Sequence, residues 1–153
     1  MKEIIAYEMS FIGALKDKPD IICVPFQEKY WNAYMPIYNA CFYEMRKDLE
    51  IEPFHFYSDY SQMKDKIRDT FLYLQNGVII GAVSCYGNEI DDLIVNKSFQ
   101  RQGFGQKLLL WGMHHIKEQG YDEIMLHVAE WNQGAVQLYL RMGFCIRKKE
   151  KVR

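Results

Sequence analysis

Two closely spaced glycines open the most chemically suggestive stretch of this chain, Val95-Asn96-Lys97-Ser98-Phe99-Gln100-Arg101-Gln102-Gly103-Phe104-Gly105-Gln106. A strand-like run ends at Val95 and a helical pattern starts near Gly103, so the glycines stand where one gives way to the other. The first backbone N–H groups of a helix have no intrahelical acceptor and point together at whatever lies before them. With no Cβ at Gly103 and Gly105, an anion can approach that backbone closely. A diphosphate is the natural occupant, and Arg101 can add a charge-assisted bond. The dinucleotide pattern G-x-G-x-x-G fails at Leu108, and Gly105-Gln106-Lys107-Leu108 lacks the G-K-[ST] of a P-loop. Left standing are the spacing Q/R-x-x-G-x-G/A, met by Gln100, Gly103 and Gly105, and the plain alternative of glycines that merely ease entry into a helix.

A second segment decides between them. Trp131-Asn132-Gln133-Gly134-Ala135-Val136-Gln137-Leu138-Tyr139-Leu140-Arg141-Met142-Gly143-Phe144 begins with a capping Asn132, carries Ala135, Leu138, Tyr139 and Met142 on one helical face, and stops at Gly143. Taken with the glycine loop, it resembles the GNAT superfamily of N-acetyltransferases, whose N-x-x-A-x-x-L-Y-x-x-x-G-F segment it matches, over about residues 21–150. The resemblance implies an acetyl-CoA-dependent N-acetyltransferase that moves an acetyl group to a primary amine of a small molecule or peptide by direct attack in a ternary complex. It further implies that the pantetheine arm pairs with the strand edge at Leu93, Ile94 and Val95. The pyrophosphate is then held by Gln100, Arg101, Gln102, Gly103, Phe104, Gly105 and Gln106, with Asn132 on the pantetheine and Tyr139 near the thioester sulfur. A non-catalytic CoA-binding sensor of the same fold is the first rival, and a nucleotide-binding protein using the glycine loop the second.

Amide formation also asks for proton transfer. A lysine-like amine has a pKa of ~10.4, so its neutral form at pH 7 costs roughly 4–5 kcal/mol and a base helps to reach it. By the resemblance, the base falls at Glu89, eleven residues before Gln100. Asp91 shares the strand parity of Glu89, Asp92 points to the other face unless a bulge changes the register, and His127 on the following strand comes fourth. The leaving thiolate gains from a donor, and a phenol of pKa ~10 is protonated at pH 7, which suits Tyr139. In the family, the loop after the first helix lines the acceptor pocket. That assigns acceptor choice to Leu49–Tyr60, with Trp31 and Tyr34 as neighbours and Trp31, Phe54, Phe56 and His127 as candidate contacts. Equally, each of these carboxylates can be a solvated strand residue and each aromatic a core residue.

The rest of the composition is restrictive. Of 153 residues, 49% are hydrophobic and 25% charged, and 19 basic against 20 acidic side chains leave a net charge of −1. That excludes a binder of nucleic acid working by bulk attraction. No apolar run approaches the ~18 residues of a membrane span. Cys23, Cys41, Cys85 and Cys145 lie far apart with no zinc spacing, so no metal is expected and they read as buried thiols of a reducing cytoplasm. His114 and His115, being adjacent on a helix, face different ways. Oligomeric state is left as monomer or homodimer.

The elements that must position these residues follow from pattern. Residues 3–12 alternate weakly as a strand or arm, with 1–20 an appendage to one domain spanning 1–153. Ile21–Phe26 reads as a short strand, and Gln27–Asp48 as a helix that Pro36 kinks or splits. Leu49–Tyr57 is a loop, and Ser58 or Ser61 caps a short helix to Asp69. Asn76-Gly77 turns a hairpin between 71–75 and 78–86, and 89–95 adds a third strand. A helix from Gly103 to Gln119 and a strand 123–130 make a parallel crossover, followed by the Asn132-capped helix and a strand 144–149. The class is α+β, a GNAT-like mixed, mainly antiparallel central sheet flanked by helices. Only about nine residues follow Phe144, too few for the two-strand hairpin that usually ends the family's fold, so the last strand is missing, replaced by the N-terminal arm, or supplied by a partner subunit.

Overall fold

A computed structural model describes residues 2–153. Its strands are β1 (Ile5–Ile12), β2 (Val24–Pro25), β3 (Thr70–Gln75), β4 (Val78–Tyr86), β5 (Glu89–Val95), β6 (Glu123–Ala129) and β7 (Cys145–Lys151). Three α-helices, α1 (Trp31–Asp48), α2 (Phe104–Glu118) and α3 (Gln133–Arg141), complete the frame. The strands form one sheet in the order β2-β3-β4-β5-β6-β1-β7, with every neighbouring pair antiparallel except β5 and β6. This is the expected mixed, mainly antiparallel class.

The N-terminal arm is a full strand. β1 lies between β6 and β7 and pairs antiparallel with both, from Ala6 opposite Ala129 to Ile12 opposite Glu123 on one side. The arm therefore supplies the strand between β6 and β7, one of the three outcomes left open above. Its alternation puts Met9 wholly inside and sets Glu8 on the other face, toward His127 of β6.

The sheet is buried on both sides. On one, α2 and α3 cover Val83, Ile90, Ile124, Leu126 and Phe144. On the other, α1 lays Tyr34 and Tyr38 on Leu72, Ala82 and Ile94. Gly112 lets α2 settle close, since a Cβ there would come within 2.8 Å of Ile90 Cδ1. Gly81 is more constrained still, because a Cβ would meet the Ile94 carbonyl and Leu108 at 2.5 Å.

Three local expectations need correction. Pro36 does not split the helix, for α1 runs unbroken through it. Proline there forfeits its own N–H bond and crowds the carbonyl of Asn32, and the burial of Tyr34 and Tyr38 on either side helps to offset that cost. Residues 58–69 form two short 3-10 turns rather than an α-helix, and the first is capped at Asp59, whose N–H donates to Gln62 Oε1 at 2.9 Å. Cys145 is exposed, unlike the buried Cys23 and Cys85, because β7 is an edge strand.

Candidate active site

β5 and β6 pair only at Glu89–Met125 and Ile90–Leu126. Beyond that point they part, and a cleft of about 790 Å³ opens between their unpaired edges. That volume is within the roughly 300–1,000 Å³ usual for a small-molecule site. Leu93 and Val95 of β5 line one wall and His127, Val128 and Ala129 of β6 the other. α1 contributes Tyr38, Phe42, Met45 and Arg46, and α3 contributes Ala135, Leu138 and Tyr139.

The glycine loop closes one end. Gln100, Arg101, Gly103, Phe104, Gly105 and Gln106 all line the cleft. Arg101 and Gly103 take left-handed conformations, φ 63° and 84°, which bend the chain sharply into α2. The first bond closing that turn runs from Lys107 N–H to the Gly103 carbonyl, leaving the N–H groups of Phe104, Gly105 and Gln106 without helical acceptors. A Cβ on Gly105 would stand 3.7 Å from Leu138 and 3.8 Å from Val95, both cleft residues, so this glycine keeps the space before the helix open. Free donors, a positive helix end and an open cradle fit a diphosphate. Gln100 Nε2 donates to the Val95 carbonyl at 3.0 Å, and Asn132 Oδ1 accepts the Ala135 N–H at 3.1 Å, which fixes two of the side chains lining the cleft.

A β-bulge shapes the opposite wall. Ala82 pairs with Ile94 and Ser84 with Asp91, so Val83 alone faces both Asp92 and Leu93. The extra residue is accommodated at Asp92, whose φ is 47°. Strand parity is thereby broken, and both Asp91 and Asp92 line the cleft. The Asp92 carboxylate accepts the Tyr38 hydroxyl at 3.1 Å and lies 3.9 Å from Lys66 Nζ. Burial, reinforced by the Asp91 charge, pushes its pKa up to about 6, against the pull of Lys66 and Tyr38. Tyr139, only 8% exposed, has its pKa pushed up to about 12 by burial and then by Asp91, so it is a protonated donor at neutral pH.

Glu89 does not line the cleft, although Asp91 and Tyr139 do. Its carboxylate holds His127 Nδ1 at 2.6 Å, while Glu8 of β1 lies 3.4 Å from His127 Nε2. The hydrogen bond to Glu89 leads in raising the His127 pKa. Ile94 and Gln102 also lie outside the cleft lining, the former because its side chain packs under α1. Trp31, Phe54 and Phe56 are elsewhere too. Trp31 stacks edge-on to Tyr57, Phe54 edge-on to Tyr43, and Phe56 beneath the Arg46 and Lys66 cations. The cleft is lined instead by Tyr38, Phe42, Met45 and Arg46, along one face of α1. The three- and four-residue apolar period of this helix, Tyr30, Tyr34, Ile37, Cys41 and Met45, shares only Met45 with that lining.

Among the described residues no three His, Cys, Asp or Glu side chains converge as a metal site, and no helix is long and apolar enough to cross a membrane.

The sequence profile of the Acetyltransferase (GNAT) family matches residues 31–144. Mycothiol acetyltransferase of Thermobifida fusca is 35% identical over 79 residues, 52% of this chain but 22% of that enzyme. N-alpha-acetyltransferase 30 of Schizosaccharomyces pombe is 32% identical over 89 residues, 52% of this chain and 59% of its own. The chain thus spans less than two thirds of either relative. Among solved structures, a chain of the NatC complex bound to Gag peptide and CoA superposes with a TM-score of 0.63 at 24% identity, covering 84% of this chain and 86% of that one. With the profile running from the first residue of α1 to Phe144 at the foot of β7, through the bulge, the glycine loop and the Asn132–Tyr139 helix, the chain belongs to the GNAT family of acetyltransferases.

Proposed function

We propose that this protein transfers an acetyl group from acetyl-CoA to a primary amine of a small molecule or peptide, by direct attack in a ternary complex. One observation carries the reading. A single cleft brings together the free N–H groups at Phe104–Gln106, the Tyr139 phenol and an Asp92 carboxyl whose pKa is about 6. The relatives named as mycothiol and N-alpha-acetyltransferases, and the NatC neighbour bound to peptide and CoA, support it.

When bound, the thioester supplies an activated acyl carbon and a leaving sulfur. The α2 N-terminus would hold the diphosphate, and the open edge at Leu93–Val95 would take the pantetheine amides as an added strand. Asp92, ionised above pH 6, would accept a proton from the amine as its nitrogen bonds to the acyl carbon. Asp91, whose charge reaches both Asp92 and Tyr139, helps keep the base strong and the phenol protonated. As the carbon–sulfur bond breaks, the Tyr139 hydroxyl would give its proton to the thiolate. Glu89 would act through His127, orienting the imidazole beside the cleft and favouring its protonated form by raising its pKa.

The test is a panel of primary amines incubated with acetyl-CoA, read by released thiol and by mass of the acetylated product. Turnover of at least one amine class is expected. Tight acetyl-CoA binding with no turnover across the panel would instead return the chain to the sensor reading.

A further inference from the structure

Arg46 is fastened in place without being neutralised. Its Nη1 donates to the Pro53 carbonyl at 3.0 Å, and its guanidinium carbon lies 4.8 Å from the centroid of the Phe56 ring. Lys66 Nζ lies 5.0 Å from the centroid of the same ring. The two cations differ in what answers them. Lys66 Nζ is 3.9 Å from Asp92 Oδ2 and donates to the Tyr57 hydroxyl at 3.3 Å, and it does not line the cleft. Arg46 does line it, yet among the described residues it forms no ion pair, and its Nε and Nη2 donors meet no protein acceptor. A guanidinium already oriented by a ring and a carbonyl loses little further freedom on binding, and Nε with Nη2 is a fork that matches a carboxylate.

Its place in the cleft bears on the reacting amine. Tyr38, which donates to Asp92, and Arg46 both belong to the α1 lining. Arg46 is also near enough to Asp92 for its charge to draw that carboxyl's pKa down, against the stronger effect of burial. The cleft's other arginines stand elsewhere. Arg101 is in the glycine loop, and Arg141 is one turn beyond Leu138, whose Cδ2 borders Gly105 of that loop. A diphosphate at the α2 N-terminus would have those two cations, whereas Arg46 stands with the Asp91 and Asp92 side of the cleft. Two carboxylates that suit an ammonium and one cation that suits an anion are complementary to a molecule carrying both charges.

We infer that the acceptor is a primary amine bearing a carboxylate, which the Arg46 guanidinium binds while the amine meets Asp92. The inference rests on the transfer reading above and narrows its acceptor class. Phe56 and the Pro53 carbonyl then act as positioning groups that hold Arg46 toward the cleft.

Three pairs of primary amines provide the probe, each an acid beside its amide: glycine and glycinamide, β-alanine and β-alaninamide, and the α-amides of aspartate and asparagine. The last pair carries its carboxylate on a side chain, as the acidic first residue of a peptide would. With acetyl-CoA present, kcat/KM is compared at equal concentrations of neutral amine. At least one acid should exceed its amide about tenfold or more, the worth of a charge-assisted pair of bonds. A preference in either of the first two pairs assigns a free amino acid, and one confined to the third assigns an acidic peptide N-terminus. Arg46→Gln should bring the favoured ratio below about threefold, while Arg46→Lys, which keeps the charge and loses the fork, should hold it above that value. Amides as good as acids in all three pairs, or a ratio unchanged in Arg46→Gln, would overturn the inference. So would a loss of acetyl-CoA affinity in Arg46→Gln with the ratio intact, which would give this cation to the carrier. Calorimetric titration of the same amines into the free protein separates the two readings. An acid preference in binding, lost in Arg46→Gln, without transfer to any amine would contradict acetyl transfer and uphold the carboxylate site. Turnover of amides as fast as acids would uphold transfer and contradict the site.

Discussion

The Tyr38 hydroxyl of α1 donates to Asp92 Oδ1 at 3.1 Å, a bond between a helix and the one bulged residue of β5. It steadies a carboxylate held in a left-handed conformation, half a turn out of the strand's own parity. Burial nevertheless dominates, and the acid keeps its proton up to about pH 6.

A pH-dependent cost follows. A group that binds its proton more tightly when folded favours the native state below its unfolded pKa, and that advantage is lost as pH rises through 6. Asp92→Asn, which can still accept from Tyr38, should therefore gain roughly 2–3 kcal/mol on the wild type between pH 3 and pH 8. Denaturant titrations at the two pH values measure it. The acidic limb of kcat/KM should have its midpoint near pH 6 in the wild type and disappear in the variant, with activity down about 100-fold.

Tyr139→Phe separates packing from proton donation. The ring fills the core beside Phe144 in either case, so the melting temperature should change little. The phenol alone is lost. kcat is expected to fall about 10- to 100-fold with acetyl-CoA affinity nearly constant, measured by steady-state kinetics and calorimetry.

Two glycines should respond in opposite ways. Gly105→Val places methyls between Val95 and Leu138, in the open cradle, and should weaken acetyl-CoA binding at least tenfold with little loss of stability. Gly81→Ala drives a Cβ against the Ile94 carbonyl and Leu108, and should cost about 1–3 kcal/mol of stability, seen in thermal melts.

Glu89→Gln removes the leading cause of the raised His127 pKa. The imidazole should then titrate at a lower pH, as followed by NMR of its ring protons. An unchanged titration would mean that Glu8, 3.4 Å away, carries the effect alone.

Much of this was legible in residue order because it depends on local spacing. The glycine pair, the Asn132 cap and the Asn76-Gly77 turn each act within a few residues, and each falls where the pattern puts it. Asp92 was not readable in this way. Strand parity sets it on the other face unless a bulge changes the register, and whether one does depends on how two strands pair across Val83. The same limit applies to the aromatic side chains. Trp31, Phe54 and Phe56 have the composition of a binding wall, yet they meet other aromatics and cations in tertiary packing, and Tyr38, Phe42, Met45 and Arg46 take the cleft. β1 inserted between β6 and β7 is a long-range pairing that weak alternation over residues 3–12 suggested without specifying.

Calorimetric titration of acetyl-CoA into the purified protein bears most directly on the cleft between β5 and β6. A single site per chain with a dissociation constant in the micromolar range is predicted, weakened at least tenfold by Gly105→Val. No heat of binding at millimolar acetyl-CoA would contradict it.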